Sequence, residues 1–265
     1  MAKIPLVPVI TVVIVAASGL AAYLNYKNHS NTGPSNSAPA KSAPATKDEK
    51  SIPASSSSDE HLRSQEKAIA DYSATLLLDS KNDKALLDRA SCYYSTRSYQ
   101  LAMADYQTIL ALPKSTFQKE AMLGQALCYY SLGQYGLAIH QCRELLKISP
   151  KYLKAIELLG NCHLRQGDYL DAIDAYTSGL RLDHDAGDLY FGRSAAYFKN
   201  KMPEQALADL IKATKCNPTN IEYHLKCATV AKVLGKREVV KSEAEAVLKI
   251  SKDNKEATDL LQSLM

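Results

Sequence analysis

Leu153 to Ala186 reads LKAIELLGNCHLRQGDYLDAIDAYTSGLRLDHDA, and these 34 residues decide the fold. Gly167 punctuates the stretch near its middle, with the small residue Gly160 before it and Ala172 after it. The pattern recurs along the chain. Ala68, Ala102, Ala138, Ala172 and Ala206 are spaced 34, 36, 34 and 34 residues apart. A stride near 34 is the mark of a helix–turn–helix repeat. An array of this kind offers a binding surface, with no deep catalytic cleft unless one is added.

Numbering each repeat from 1 to 34 gives the units Asp83–Thr116, Lys119–Tyr152, Leu153–Ala186, Gly187–Asn220 and Ile221–Asn254. Phe117 and Gln118 are extra, and they fall in an inter-repeat loop after Pro113, where insertions are tolerated. Position 8 is small (Ala90, Ala126, Gly160, Ser194, Ala228), as is position 20 (Ala102, Ala138, Ala172, Ala206, then Val240). Large residues stand beside them at position 11 (Tyr93, Tyr129, His163, Tyr197), at position 17 (Tyr99, Tyr135, Tyr169) and at position 24 (Tyr106, Cys142, Tyr176, Leu210). Alternating small and large residues let two helices approach and interdigitate. Turn signals fall where hairpins need them, with Gly133, Gly167 and Gly235 at position 15 and Pro150 and Pro218 at position 32.

Leu159-Gly160, Gly167-Asp168-Tyr169, Ala172 and Tyr176 carry a resemblance to the tetratricopeptide repeat (TPR) family over roughly Asp59 to Met265. The family's aromatic at position 4 is kept only as Tyr190, and the fifth unit departs furthest, with Arg237 at position 17 and Ala244 at 24. The resemblance implies an all-α fold: a TPR helical-repeat superhelix of about five helix–turn–helix repeats plus capping helices, with a concave inner groove. Asp59–Leu78 aligns with only the second helix of a repeat, and residues 57–82 are expected to form a lone capping helix. Ser57 and Glu60 make a capping box at its start. Residues 255–265 are expected to supply a short amphipathic cap at the other end.

Ahead of the repeats, Ile4 to Leu24 is a 21-residue run without charge. A helix of that length rises about 30 Å, the thickness of a bilayer core. Residues 1–24 are therefore expected to form an N-terminal transmembrane anchor, a cleaved signal peptide being the competing reading. Residues 25–56, rich in Ser, Pro, Ala and Lys, are expected to be a disordered linker. The lysines beyond the anchor outnumber the one before it, which favours a cytoplasmic repeat domain. The mitochondrial outer membrane, the endoplasmic reticulum and a bacterial inner membrane are not distinguished. From Asp59 onward, 27 Lys/Arg face 26 Asp/Glu, a balance that argues against nucleic acid as partner.

The six cysteines invite a disulfide or metal reading that the repeat register opposes. Cys92, Cys128 and Cys162 share position 10 of successive repeats, about 8–10 Å apart if the helices pack at the usual distance. A disulfide needs Cα atoms within about 7 Å. They read as buried thiols acting as small hydrophobes, and no disulfide is expected. No Cys or His pair has zinc-ligand spacing, and His163 stands where other repeats carry tyrosine. With no P-loop, zincin or nucleophile-elbow motif, no enzyme activity, catalytic residue, metal or cofactor is expected.

In the family, the first helix of each pair lines the concave face through positions 2, 5, 6, 9, 12 and 13. Carried onto this chain, the resemblance implies a groove of Leu87, Tyr94, Leu123, Leu127, Tyr130, Asn161, Leu164, Arg165, Phe191, Phe198 and Lys199. Some of these rings have packing between repeats as an alternative role. An apolar groove suits an amphipathic helix or an extended hydrophobic segment. The family's carboxylate clamp for acidic chaperone tails is mostly missing. Its best window offers Asn161, but Glu157 and Glu222 stand at two of its basic places. The expected function is a membrane-tethered adaptor or scaffold that binds a protein segment in protein targeting or complex assembly, without chaperone-tail binding. A periplasmic or secreted assembly factor of an envelope complex is the alternative.

Overall fold

The computed structural model describes residues 57–264, and the expected anchor and linker lie outside them. Among the described residues there are twelve α-helices and no strand. A single helix, α1 (Ser57–Leu78), precedes five hairpins. These are α2 (Asp83–Ser95) with α3 (Tyr99–Ala111), α4 (Gln118–Ser131) with α5 (Tyr135–Ile148), and α6 (Leu153–Gln166) with α7 (Tyr169–Leu180). Then come α8 (Gly187–Lys199) with α9 (Pro203–Cys216) and α10 (Ile221–Val233) with α11 (Arg237–Ile250). The last helix is α12 (Lys255–Gln262), whose Ala257 and Leu260 pack on Val240, Ala244 and Val247. No described helix is long and apolar enough to cross a membrane.

Each hairpin turns through a left-handed residue at position 15. Gly133, Gly167 and Gly235 take φ of 74°, 90° and 67° there, a region open to glycine because it has no Cβ. Arg97 and Lys201 hold the same position at φ 59° and 61°. An asparagine immediately precedes and caps α2, α10 and α12. The side chains of Asn82, Asn220 and Asn254 accept from the backbone N–H groups of Ala85, Tyr223 and Ala257.

The small residues at positions 8 and 20 are buried throughout, and the helices of each hairpin close on them. Position 24 obeys a size rule across repeats. The Tyr106 ring lies over Gly124, and the Tyr176 ring lies over Gly160 and Gly192. A Cβ on Gly124 or Gly192 would stand 2.2 Å or 2.6 Å from those rings. Gly124 and Gly192 are position 6 of the following repeat. Where position 24 is the smaller Cys142, position 6 of the next repeat is Leu158, and the two share one core cluster.

A polar clasp recurs between positions 7 and 23. Arg89 donates to both carboxylate oxygens of Asp105 (2.8 and 2.7 Å) and to Ser73 Oγ on the preceding helix (3.1 Å). Arg193 repeats this geometry with Asp209 (2.7 and 2.9 Å) and Thr177 (2.9 Å). Gln141 donates to Gln125 at 2.9 Å in the second unit, while the third unit places Leu159 and Ala175 there. In the fifth unit Glu243 bonds instead to His224, whose other ring nitrogen faces the Pro218 carbonyl. Burial opposes the charge on Arg89, but the hydrogen bonds and charge of Asp105 outweigh it and raise the guanidinium pKa.

Candidate functional site

First helices of successive hairpins pack side by side from α2 through α4 and α6 to α8, and this row forms one continuous face. The row loosens between α8 and α10. The expected groove residues all sit on first helices, half-buried or exposed.

They do not form one uniform surface. Tyr94 and Tyr130, both at position 12, pair with the position-17 ring of their own hairpin. Tyr94–Tyr99 and Tyr130–Tyr135 each have ring centroids 5.5 Å apart at a tilt near 60°. The Tyr94 hydroxyl also meets Ser131 Oγ at 3.0 Å, tying α2 to α4. Leu87, Leu123 and Leu127 lie partly buried against the cores of the first two hairpins, and Leu164 does so against the third. The Asn161 amide oxygen accepts from the buried Tyr176 hydroxyl at 2.7 Å, so its carbonyl is used inside the array. Arg165 is exposed at the end of α6.

The fourth unit differs. Pro203 replaces the position-17 tyrosine, so Phe198 has no hairpin ring to pair with and stays 41% exposed. Phe198 joins Phe191 and Lys199 around a depression of about 150 Å³ between α8 and α10, closed by Ala195, Leu210 and Lys226. Its cause is local. Tyr176 fills the corresponding space between α6 and α8, whereas Leu210 is shorter and leaves it open. On the far side Phe191 stacks on Tyr223 at 4.8 Å, and the Tyr223 hydroxyl bonds to Asp188. The depression thus has aromatic walls, of which Phe191 is held by Tyr223, an aliphatic floor and two lysines at its rim. That chemistry receives one apolar side chain and attracts a nearby carboxylate. The signal in the sequence was the joint change at positions 17, 24 and 6 of neighbouring repeats, which a position-by-position groove assignment does not isolate.

The six cysteines are free, and Cys128, Cys142, Cys162 and Cys227 are fully buried. Burial pushes each of these four thiols up to about 12. Thiols held this way are protonated and unreactive at neutral pH. His163 is buried at the end of α6, its Nδ1 3.7 Å from an Asp168 carboxylate oxygen.

A tetratricopeptide repeat model matches residues 65–115 and 158–221, and a model of anaphase-promoting complex, cyclosome, subunit 3 matches residues 110–178. Human tetratricopeptide repeat protein 6 is 34% identical over 162 residues, which are 60% of this chain and 31% of that protein. The chain thus spans about a third of that relative's length. Among solved structures, the anaphase-promoting complex hetero-tetramer Cut9-Hcn1 aligns with TM-score 0.61 at 18% identity, over 77% of this chain and 40% of that one. YrrB, described as a TPR protein with an unusual peptide-binding site, aligns with TM-score 0.53 at 15% identity, over 72% of this chain and 97% of that one. The family models and the relative's name support the TPR family for this chain, and its hairpins form an all-α TPR superhelix.

Proposed function

We propose that this chain is a non-catalytic adaptor that binds an extended or helical protein segment on its first-helix face, anchored by the α8–α10 depression. TPR proteins bind protein partners, and YrrB, of the same fold, has a peptide-binding site. The observation that carries the reading is the exposed Phe198 beside Phe191, framed by Lys199 and Lys226. A segment with one large apolar side chain and an acidic residue close by matches it. Residues 4–24 hold the adaptor at a membrane and residues 25–56 act as spacer, with the repeats on the cytoplasmic side.

Proximity labelling from the repeat domain in cells, followed by pulldown with purified protein, tests the partner. Phe191→Ala with Phe198→Ala abolishes capture of the partner while Tyr94→Ala leaves it; full retention by the double variant sinks the assignment. A peptide ending in Glu-Glu-Val-Asp does not bind at micromolar strength. Topology is tested on Cys216, the exposed thiol. An impermeant maleimide labels it only after the plasma membrane is breached, and labelling in intact cells identifies an exported protein instead.

A further inference from the structure

The hairpin α6–α7 carries a constellation that the adaptor reading does not use. His163 lies in the last turn of α6, Asp168 is the residue before α7, and Asp171 lies in its first turn. One ligand atom from each falls within 4.8 Å of the others. The two carboxylates are exposed, and no described Lys or Arg pairs with either. Asp168 sits at the N-cap, yet its side chain makes no cap hydrogen bond. The imidazole points to a ligand independently. Its side chain is only 8% exposed, and Nδ1 is buried without a hydrogen-bond partner, facing Asp168 Oδ2 at 3.7 Å. A buried polar nitrogen is normally satisfied, and leaving it bare costs stability.

We propose that His163, Asp168 and Asp171 bind one divalent transition-metal ion of the zinc class. Two donors each about 2.1 Å from a tetrahedral ion lie about 3.4 Å apart, close to the separation of His163 Nδ1 and Asp168. An oxygen of the exposed Asp171 carboxylate lies within 4.8 Å of both other donor atoms, and the ion would draw it in. An imidazole in the set favours zinc and the later first-row transition ions over manganese, magnesium and calcium, which take oxygen. Three protein donors leave a coordination position to water. The ion satisfies the bare nitrogen, relieves two like charges at one helix start and clamps α6 to α7 across the turn. Spacing of five and three residues over a hairpin is no linear zinc motif, so the cluster is seen only after folding. Three other hairpins place Tyr93, Tyr129 and Tyr197 where His163 stands and the last places Ala231, which confines the site to this unit.

The test uses the full-length chain, stripped of metal and titrated with Co²⁺, then with Zn²⁺ in competition. One equivalent of cobalt binds with a nitrogen–oxygen optical spectrum lacking thiolate charge transfer, and zinc displaces it and raises the thermal midpoint. Asp168→Asn and Asp171→Asn each weaken binding at least about tenfold, the scale set by lesser perturbations of metal sites. Both residues are exposed, so these variants keep the fold. His163→Tyr, which places there the ring of three other repeats, folds and binds no cobalt. Absence of a saturable signal overturns the proposal, as does wild-type binding by the two Asp variants. A thiolate band that disappears with Cys216→Ser also overturns it.

Discussion

Arg89 and Asp105 are 16 residues apart, as are Arg193 and Asp209, and as are Gln125 and Gln141. Charges in a repeat protein read first as solvated face, yet these side chains are 80% buried or more and join three helices. Removing one partner of such a pair strands the other charge. Asp105→Ala is therefore expected to cost about 3 kcal/mol in urea unfolding. The third unit shows the apolar solution, Leu159 with Ala175, in the same two positions. The double variant Arg89→Leu/Asp105→Ala copies it and recovers most of the loss. A double variant no more stable than Asp105→Ala contradicts this account. The recurrence at a spacing of 16 was visible in the sequence. Its meaning was not, because only the folded hairpin shows that positions 7 and 23 face each other and share a hydroxyl from the helix before.

At the scale of the hairpin, the turn and the size rule each make a prediction. Lys201 is a non-glycine residue at φ 61°, where its Cβ crowds the following carbonyl. Lys201→Gly is expected to raise stability by about 0.5–1 kcal/mol, the removed strain exceeding the added unfolded-state entropy. A fall in the urea midpoint would contradict that. Gly192→Leu drives a side chain into the Tyr176 ring and costs about 3 kcal/mol, the upper end for overpacking. Tyr176→Cys combined with Gly192→Leu reproduces the Cys142–Leu158 contact and regains part of the loss. Hairpin boundaries were legible because turn glycines, small-residue columns and the 34-residue stride all depend on local backbone geometry. The pairing of position 24 with position 6 of the next repeat was not, because it is a contact between helices from separate units. The same gap explains the groove. Its residues were named in register, but Tyr94 and Tyr130 proved to be paired within their own hairpins and Phe198 was left alone by Pro203.

Across the whole array, the buried thiols set a pH limit on stability. Cys128 belongs to the core of the first hairpins, Cys142 and Cys162 to the next, and Cys227 to the last. Each repeat rests on its neighbours, so a loss at any of these places is transmitted along the stack. Folded, these thiols are pushed up to about 12, whereas an unfolded cysteine ionises near 8.5. The folded state therefore keeps protons that the unfolded state releases. Stability from this source is full below pH 8.5 and is lost as pH rises from about 9 toward 12. Each thiol contributes a slope of at most about 1.4 kcal/mol per pH unit in that window. The urea midpoint is expected to be level from pH 7 to 8 and to fall steadily above pH 9. Cys128→Ala and Cys227→Ala, though weakened at neutral pH by the space they leave, show a shallower alkaline decline than the parent. In the same samples a maleimide at pH 7.5 labels Cys216 first, and labels the four core thiols only after denaturant unfolds the array. Equal alkaline slopes for parent and variants, or labelling of the core thiols before unfolding, would contradict the assignment of these residues to a dry repeat core.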